Sequence, residues 1–245
     1  TPDKLYGEKS GAHYQGQKGA KTSKHFTTFD FARAGKEYKR LDELVLVEQR
    51  EKLLALRAQP LGFEFVDETK KDDLVLACGE GFYQSRYECE EDDRILQVIP
   101  YVLIFGPNNE IFGYTRAKKL QDTGDQRLFS KTSIGVGGHI INTDRSILEG
   151  LKRKLNDELE LNENYTEPIL IGTLYQTELS VDKVHFGLVY GIKLDNTNIK
   201  IKDKSITSGG LRNIEELIRD KNFIENNETW TKALIPYLNE IKEII

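Results

Sequence analysis

The chain has 245 residues, a formal charge of −5, 38% hydrophobic and 31% charged residues. That composition supplies a folded core and excludes a disordered polymer, and the net acidity excludes a molecule built as a whole to attract nucleic acid. Two cysteines form neither a disulfide framework nor a metal pattern, so free thiols in a reducing cytoplasm are expected.

No apolar run approaches the roughly 18 residues of a membrane span. The first residues, Thr1-Pro2-Asp3-Lys4, lack the apolar centre of a signal peptide. The expectation is a soluble cytoplasmic protein with no membrane partner. No methionine occurs in it.

Residues 1–42 carry nine Lys or Arg against five Asp or Glu, hence +4, which leaves −9 for the remainder. Tyr14 to Lys21 has no apolar periodicity and reads as a loop. Phe31, Ala34, Tyr38 and Leu41 recur at helical spacing. The division expected is a basic N-terminal arm and helix over 1–42 and a folded domain over 43–245. A solvated arm packing on a neighbour is favoured over one that binds nucleic acid.

Leu44 to Val47 reads as a short strand, and Gln49 to Ala58 as a helix stopped by Pro60. Ile95 to Phe105 is a long apolar run. Gly106-Pro107-Asn108-Asn109 is a turn, and Ile111 to Tyr114 returns as the second strand of a hairpin. Pro100 predicts a bulge or an edge position in the first of these strands.

Phe129 to Ile134 leads into Gly135-Val136-Gly137-Gly138, and a helix follows from Asp144 or Ser146 to Leu159. Strands are expected over Ile169–Gln176 and Val184–Leu194, and helices over Asn213–Arg219 and Thr229–Ile244. Strands mixed with helices in this order predict an α+β fold with helices on both faces of a mixed sheet.

The chemistry is concentrated after the glycines. Leu148, Leu151, Leu155 and Leu159 form an apolar stripe, while Lys154, Asp157 and Glu158 share another face of the helix at i, i+3 and i+4. Acids on a helix below a glycine loop suit a divalent cation such as Mg²⁺, and glycine lets backbone approach a phosphate closely. On the helix alone, a solvated face of ordinary surface acids is the better account.

The wider sequence reverses that balance. Gly138, Arg153, Leu155, Glu158 and Leu161, with Asp157 in place of a glutamate, resemble the Nudix box, G-x5-E-x7-R-E-U-x-E-E-x-G-U with U aliphatic. Val98 to Val102, Tyr114-Thr115-Arg116, Ser133 to Ile140, Val184 to Val189 and Glu228-Thr229-Trp230 are similar to the bacterial MutT-like group of phosphoesterases. The likeness covers roughly residues 44–240.

That resemblance implies a Nudix-type mixed sheet sandwiched between helices and a nucleotide-type small-molecule ligand. It implies a hydrolase that cleaves the diphosphate of a nucleoside diphosphate derivative with Mg²⁺ or Mn²⁺. Asp157, Glu158 and the Gly138 carbonyl would hold the metal, with Glu158, Asp157 and Arg153 as the catalytic group. Apart from the resemblance, Tyr114, Arg116 and Lys118 follow the hairpin and are weighed between contact with a phosphate or base of the substrate and ordinary surface charge, and His139 follows the glycine loop as a further candidate to touch substrate phosphate. A weak or inactive module that binds nucleotide or RNA is the alternative.

The chain departs from the pattern in five places. Gly138 to Arg153 is one residue longer, Asp144 and Asp157 replace glutamates, and Glu160 replaces a glycine. Lys154 stands where the family has a glutamate that acts as metal ligand or base. Glu178 and Asp182 are candidates for a further acid. His139 is weighed as a backbone-bonded structural residue as well as a phosphate contact, and His185 as a packing residue.

Overall fold

The computed structural model describes residues 43–117, 128–161 and 165–245. The arm and helix expected in 1–42, and Lys118, lie outside them. The chain first forms β1 (Leu44–Gln49), α1 (Arg50–Ala55), β2 (Gly62–Phe65), α2 (Lys71–Gly79), β3 (Phe82–Ser85) and α3 (Arg86–Cys89). Next come β4 (Ile95–Phe105), β5 (Glu110–Arg116), β6 (Thr132–Ser133), β7 (Gly135–Gly137), α4 (Ile147–Glu158) and β8 (Leu159–Glu160). Then β9 (Ile169–Tyr175), β10 (His185–Lys193), β11 (Lys200–Ile201) and β12 (Ile206–Asn213) lead to α5 (Ile214–Arg219), α6 (Lys221–Glu225), α7 (Thr229–Leu234) and α8 (Leu238–Ile244).

The apolar run becomes β4, whose eleven residues are all buried. A strand covered on both faces needs no polar alternation. The main sheet runs β12-β5-β4-β10-β9-β2, with β1 and β7 also paired to β4. β4 is parallel to β10 along its length and antiparallel to β1, β7 and β5.

Alternate residues of β4 serve two cores. Val98, Val102 and Ile104 pack with Leu53, Leu74, Leu151 and Leu155 of α1, α2 and α4. Ile99, Tyr101, Leu103 and Phe105 pack with Leu217, Phe223, Trp230, Leu234 and Leu238 of the C-terminal helices. Each such apolar side chain contributes about 1.5–3 kcal/mol relative to exposure. The sheet sandwiched between helices is the architecture expected.

Four local expectations change. Pro100 lies in the central strand, and its register with β10 (Leu188 opposite Pro100) is unbroken. On the other side β1 ends its pairing at Gln97 and β7 begins at Tyr101, so the proline sits where the partner strand changes. The helix expected from Gln49 to Ala58 is only Arg50–Ala55, because β1 extends through Gln49.

The hairpin is narrow: Phe105 pairs with Ile111, after which β5 turns to β6 and β12. The long C-terminal helix is split into α7, a 3₁₀ turn at Ile235–Tyr237 and α8. Pro236 has no N–H for a continuous helical ladder. Cys78 and Cys89 are buried free thiols, and burial pushes both up to about 12. Among the described residues no helix is long and apolar enough to cross a membrane.

Candidate active site

The glycine strand β7 is shaped by an aromatic ring. A Cβ at Gly135 would lie 2.6 Å from Cδ1 of Tyr101, and one at Gly137 2.9 Å from its Cδ2. Tyr101 in turn meets Trp230 edge-on, with centroids 5.3 Å apart. Tyr114 is buried, and its hydroxyl donates to the Gly135 carbonyl at 3.0 Å. Tyr114, expected against substrate, therefore anchors the glycine strand from within the core.

α4 starts at Ser146, whose Oγ accepts from the Glu149 N–H at 3.1 Å, while Glu149 accepts from the Arg145 N–H at 2.8 Å. This reciprocal capping fixes the first turn. One turn further on, Arg153 grips the loop before the helix. Its Nε and Nη2 donate to the two oxygens of Asp144 at 2.8 and 2.7 Å, and Nη2 also donates to the His139 carbonyl at 2.9 Å. Asp144 also accepts from the Ile141 N–H at 2.9 Å.

Burial opposes the charge of Asp144, but the Arg153 and Ile141 hydrogen bonds outweigh it and hold its pKa below the ordinary value. Asp157 lies 3.5 Å from Arg153 Nη1 and is 56% exposed. The guanidinium is thus committed to holding the loop on the helix.

The next residue in each case belongs to a different environment. Glu158 is 7% exposed. Burial raises its pKa, and the nearby Lys154 and Arg116 partly oppose that rise. Lys154 Nζ stands 3.3 Å from Glu158 Oε1. The Lys154 stem lies against Gly138: a Cβ there would be 2.6 Å from its Cδ and 2.8 Å from its Cγ.

Arg116 pairs through Nε with Glu228 and lies 5.5 Å from the centroid of the Tyr114 ring. Burial works against the Arg116 charge, but Glu228, Tyr114 and Glu158 together more than offset it, and its pKa stands well above the ordinary value. Lys154, Glu158, Arg116 and Glu228 thus form a chain of alternating charge at the C-terminal end of α4.

His139 projects elsewhere: its Nε2 is 3.1 Å from Nε2 of His185, whose Nδ1 lies 2.6 Å from the Val181 carbonyl. Of the two candidate further acids, Asp182 accepts from the Leu179 N–H and the Thr229 hydroxyl, a loop-fastening role, and Glu178 is exposed. Two acids that motif spacing did not single out take part instead. Glu228 neutralises Arg116. Asp203 is close enough to raise the Glu158 pKa, and its N–H donates to the Glu158 carbonyl at 3.3 Å. Both are remote in sequence from the glycine loop. Glu228 stood in a segment that resembles the family; nothing in the sequence marked Asp203.

A divalent cation of this kind takes several oxygen ligands. Asp157 turns to Arg153 and Glu158 to Lys154, so the expected pair of carboxylates is divided between two cations. Among the described residues no group of three or more His, Cys, Asp or Glu side chains could hold a metal ion. The Lys154 ammonium already lies beside Glu158, the buried member of the carboxylate pair. The residues present do not fit Mg²⁺ or Mn²⁺ held by Gly138, Asp157 and Glu158.

A mixed sheet between helices, with a glycine strand running into an arginine-bracketed helix that ends in a buried glutamate, defines the Nudix class. No family model matches the chain. Protein YmaB of Bacillus subtilis (strain 168) is 32% identical over 210 residues, which cover 81% of this chain and 98% of that protein. The crystal structure of Tm1382, a protein assigned to the Nudix hydrolases, has 25% identity and a TM-score of 0.66, covering 81% of this chain and all of that one. The MutT protein of Methanosarcina mazei Go1 is more distant, with 15% identity and a TM-score of 0.43 over 60% of this chain and 94% of that one. The chain belongs to the Nudix superfamily.

Proposed function

We propose that this chain is a hydrolase that cleaves the diphosphate linkage of a nucleoside diphosphate derivative, with Glu158 as general base. The observation that carries this is the buried Glu158 carboxylate, with its raised pKa, 3.3 Å from the Lys154 ammonium and within electrostatic reach of the Arg116 guanidinium. A carboxylate tuned upward by burial is better matched to proton abstraction near neutral pH than an ordinary glutamate. The two cations supply positive charge where a diphosphate needs it, and arginine offers a planar fork to phosphate oxygens.

In the reaction, water oxygen forms a bond to one phosphorus while Glu158 takes a water proton. The bridging P–O bond breaks, and the leaving phosphate carries away the electron pair as negative charge. Lys154 and Arg116 turn toward the phosphates as the charge develops. No step passes through a metal ion.

The test is chromatography of products from a panel of nucleoside diphosphate derivatives, with Mg²⁺, with Mn²⁺ and with EDTA. Monophosphate products are expected, and Glu158→Gln should abolish them. Complete absence of turnover in all three conditions would overturn the hydrolase assignment.

A second reading, nucleotide binding without turnover, is favoured by one contact: the Lys154–Glu158 pair, which keeps the base occupied. It predicts calorimetric binding of a nucleotide with no product released over the same incubation.

A further inference from the structure

We infer that Lys154 is a tethered cation that takes the place of the divalent ion, so that this site meets a diphosphate with its own ammonium and excludes metal. The nature of the ligand rests on the function proposed above; the exclusion of metal does not.

The geometry is specific to this pair of positions. The Lys154 stem runs across Gly138, where any side chain would collide with its Cγ and Cδ. Glycine at 138 therefore makes room for the lysine, as well as presenting a bare backbone. The stem delivers Nζ to 3.3 Å from Glu158 Oε1, apart from the Arg153–Asp144 bracket. Lys154 keeps 22% of its side chain exposed, so the residue is not sealed in the core.

The charges also close without a metal. Lys154 and Arg116 are cations; Glu158 and Glu228 are the buried carboxylates paired with them. Adding a divalent ion beside Glu158 would set it against an ammonium already sharing that carboxylate. Asp203, which raises the Glu158 pKa, is the acid nearby that a metal could recruit if the lysine were gone. A glutamate at 154 would then give Glu158 a second carboxylate and Asp203 a third.

The experiment is a Mn²⁺ titration of the full chain without nucleotide, read by electron paramagnetic resonance of free Mn²⁺. The wild type should show no stoichiometric site. Lys154→Glu should gain one, about tenfold or more tighter than any wild-type binding, and Glu158→Gln in that background should remove it. Lys154→Gln, which keeps a long polar side chain and drops the charge, should show a weaker gain and guards against misfolding of the acidic variant.

A wild-type site that Glu158→Gln abolishes would overturn the inference, and so would two folded Lys154 variants with no gain. Calorimetry with inorganic pyrophosphate in EDTA forms the second arm: binding should weaken by about tenfold in Lys154→Gln, as for loss of one charged contact. Pyrophosphate binding unchanged by Lys154→Gln would overturn the role of the ammonium. No pyrophosphate binding by wild type, with the Mn²⁺ results as expected, would retain metal exclusion and overturn the stand-in role and the diphosphate assignment together.

Discussion

Two ion pairs start from adjacent cations on α4, Arg153 and Lys154, and differ in character. Arg153 and Asp144 face the loop before the helix, with every contact a short, well-directed hydrogen bond and the acid held below its ordinary pKa. Lys154 and Glu158 meet near the C-terminal end of the helix, at a looser 3.3 Å, with the acid pushed above its ordinary pKa by burial. A carboxylate satisfied by a fork of donors is a structural fastener. One desolvated beside an ammonium it only partly engages is poised to change partner or proton. The same residue chemistry gives a bracket in one case and, in the function proposed, the general base in the other.

The largest effect should come from Glu158→Gln, which removes the base but preserves size. Turnover should fall by about two to four orders of magnitude, while urea denaturation should show no loss of stability, because a buried charge has been removed. Arg153→Ala should do the reverse. It leaves Asp144 buried without its fork and should cost about 2–3 kcal/mol in denaturation, less than a fully buried pair since Arg153 is 29% exposed.

The pH dependence should separate the two pairs by sign. The lowered pKa of Asp144 gives stability that is present above the ordinary aspartate value, about 3.9, and is lost as pH falls through the folded value. Asp144→Asn should flatten the acid side of the stability curve. The raised pKa of Glu158 gives stability that is present below the ordinary glutamate value and is lost as pH rises through the folded value. Glu158→Gln should therefore gain on wild type as pH rises through that range. Lys154→Gln, by removing a cation that lowers the Glu158 pKa, should move the acid limb of the pH–rate profile to higher pH. The smallest effect belongs to Asp157→Asn, where an exposed i, i+4 pair is worth about 0.3 kcal/mol and turnover should be nearly unchanged.

Much of the fold was legible because long apolar runs and caps are local signals. β4, β9, β10 and α4 fell close to where periodicity placed them, and the loop-to-helix likeness extended across the sheet. What escaped notice was built from weak local patterns. β12, Ile-Thr-Ser-Gly-Gly-Leu-Arg-Asn, pairs with the whole of β5 without apolar alternation, and the Pro236 break was hidden inside a good helical stripe.

At the site, spacing put Lys154, Asp157 and Glu158 on one helix face, and only the likeness to the Nudix box singled them out, with Arg153, as more than surface charges. Their division into two pairs was not legible, because a helical wheel gives direction but not partners. Tyr114 shows the same limit: its place beside Arg116 suggested a ligand contact, whereas the hydroxyl is used by the Gly135 carbonyl. Glu228 and Asp203 reach Arg116 and Glu158 only through the folded sheet, and spacing carries no sign of that.

The most direct measurement compares initial rates of diphosphate hydrolysis by wild type, Glu158→Gln and Asp157→Asn, each confirmed folded by its urea midpoint. Turnover should be lost in Glu158→Gln and retained in Asp157→Asn. Equal loss in the two variants, or full activity in Glu158→Gln, would contradict the assignment of chemistry to the buried pair.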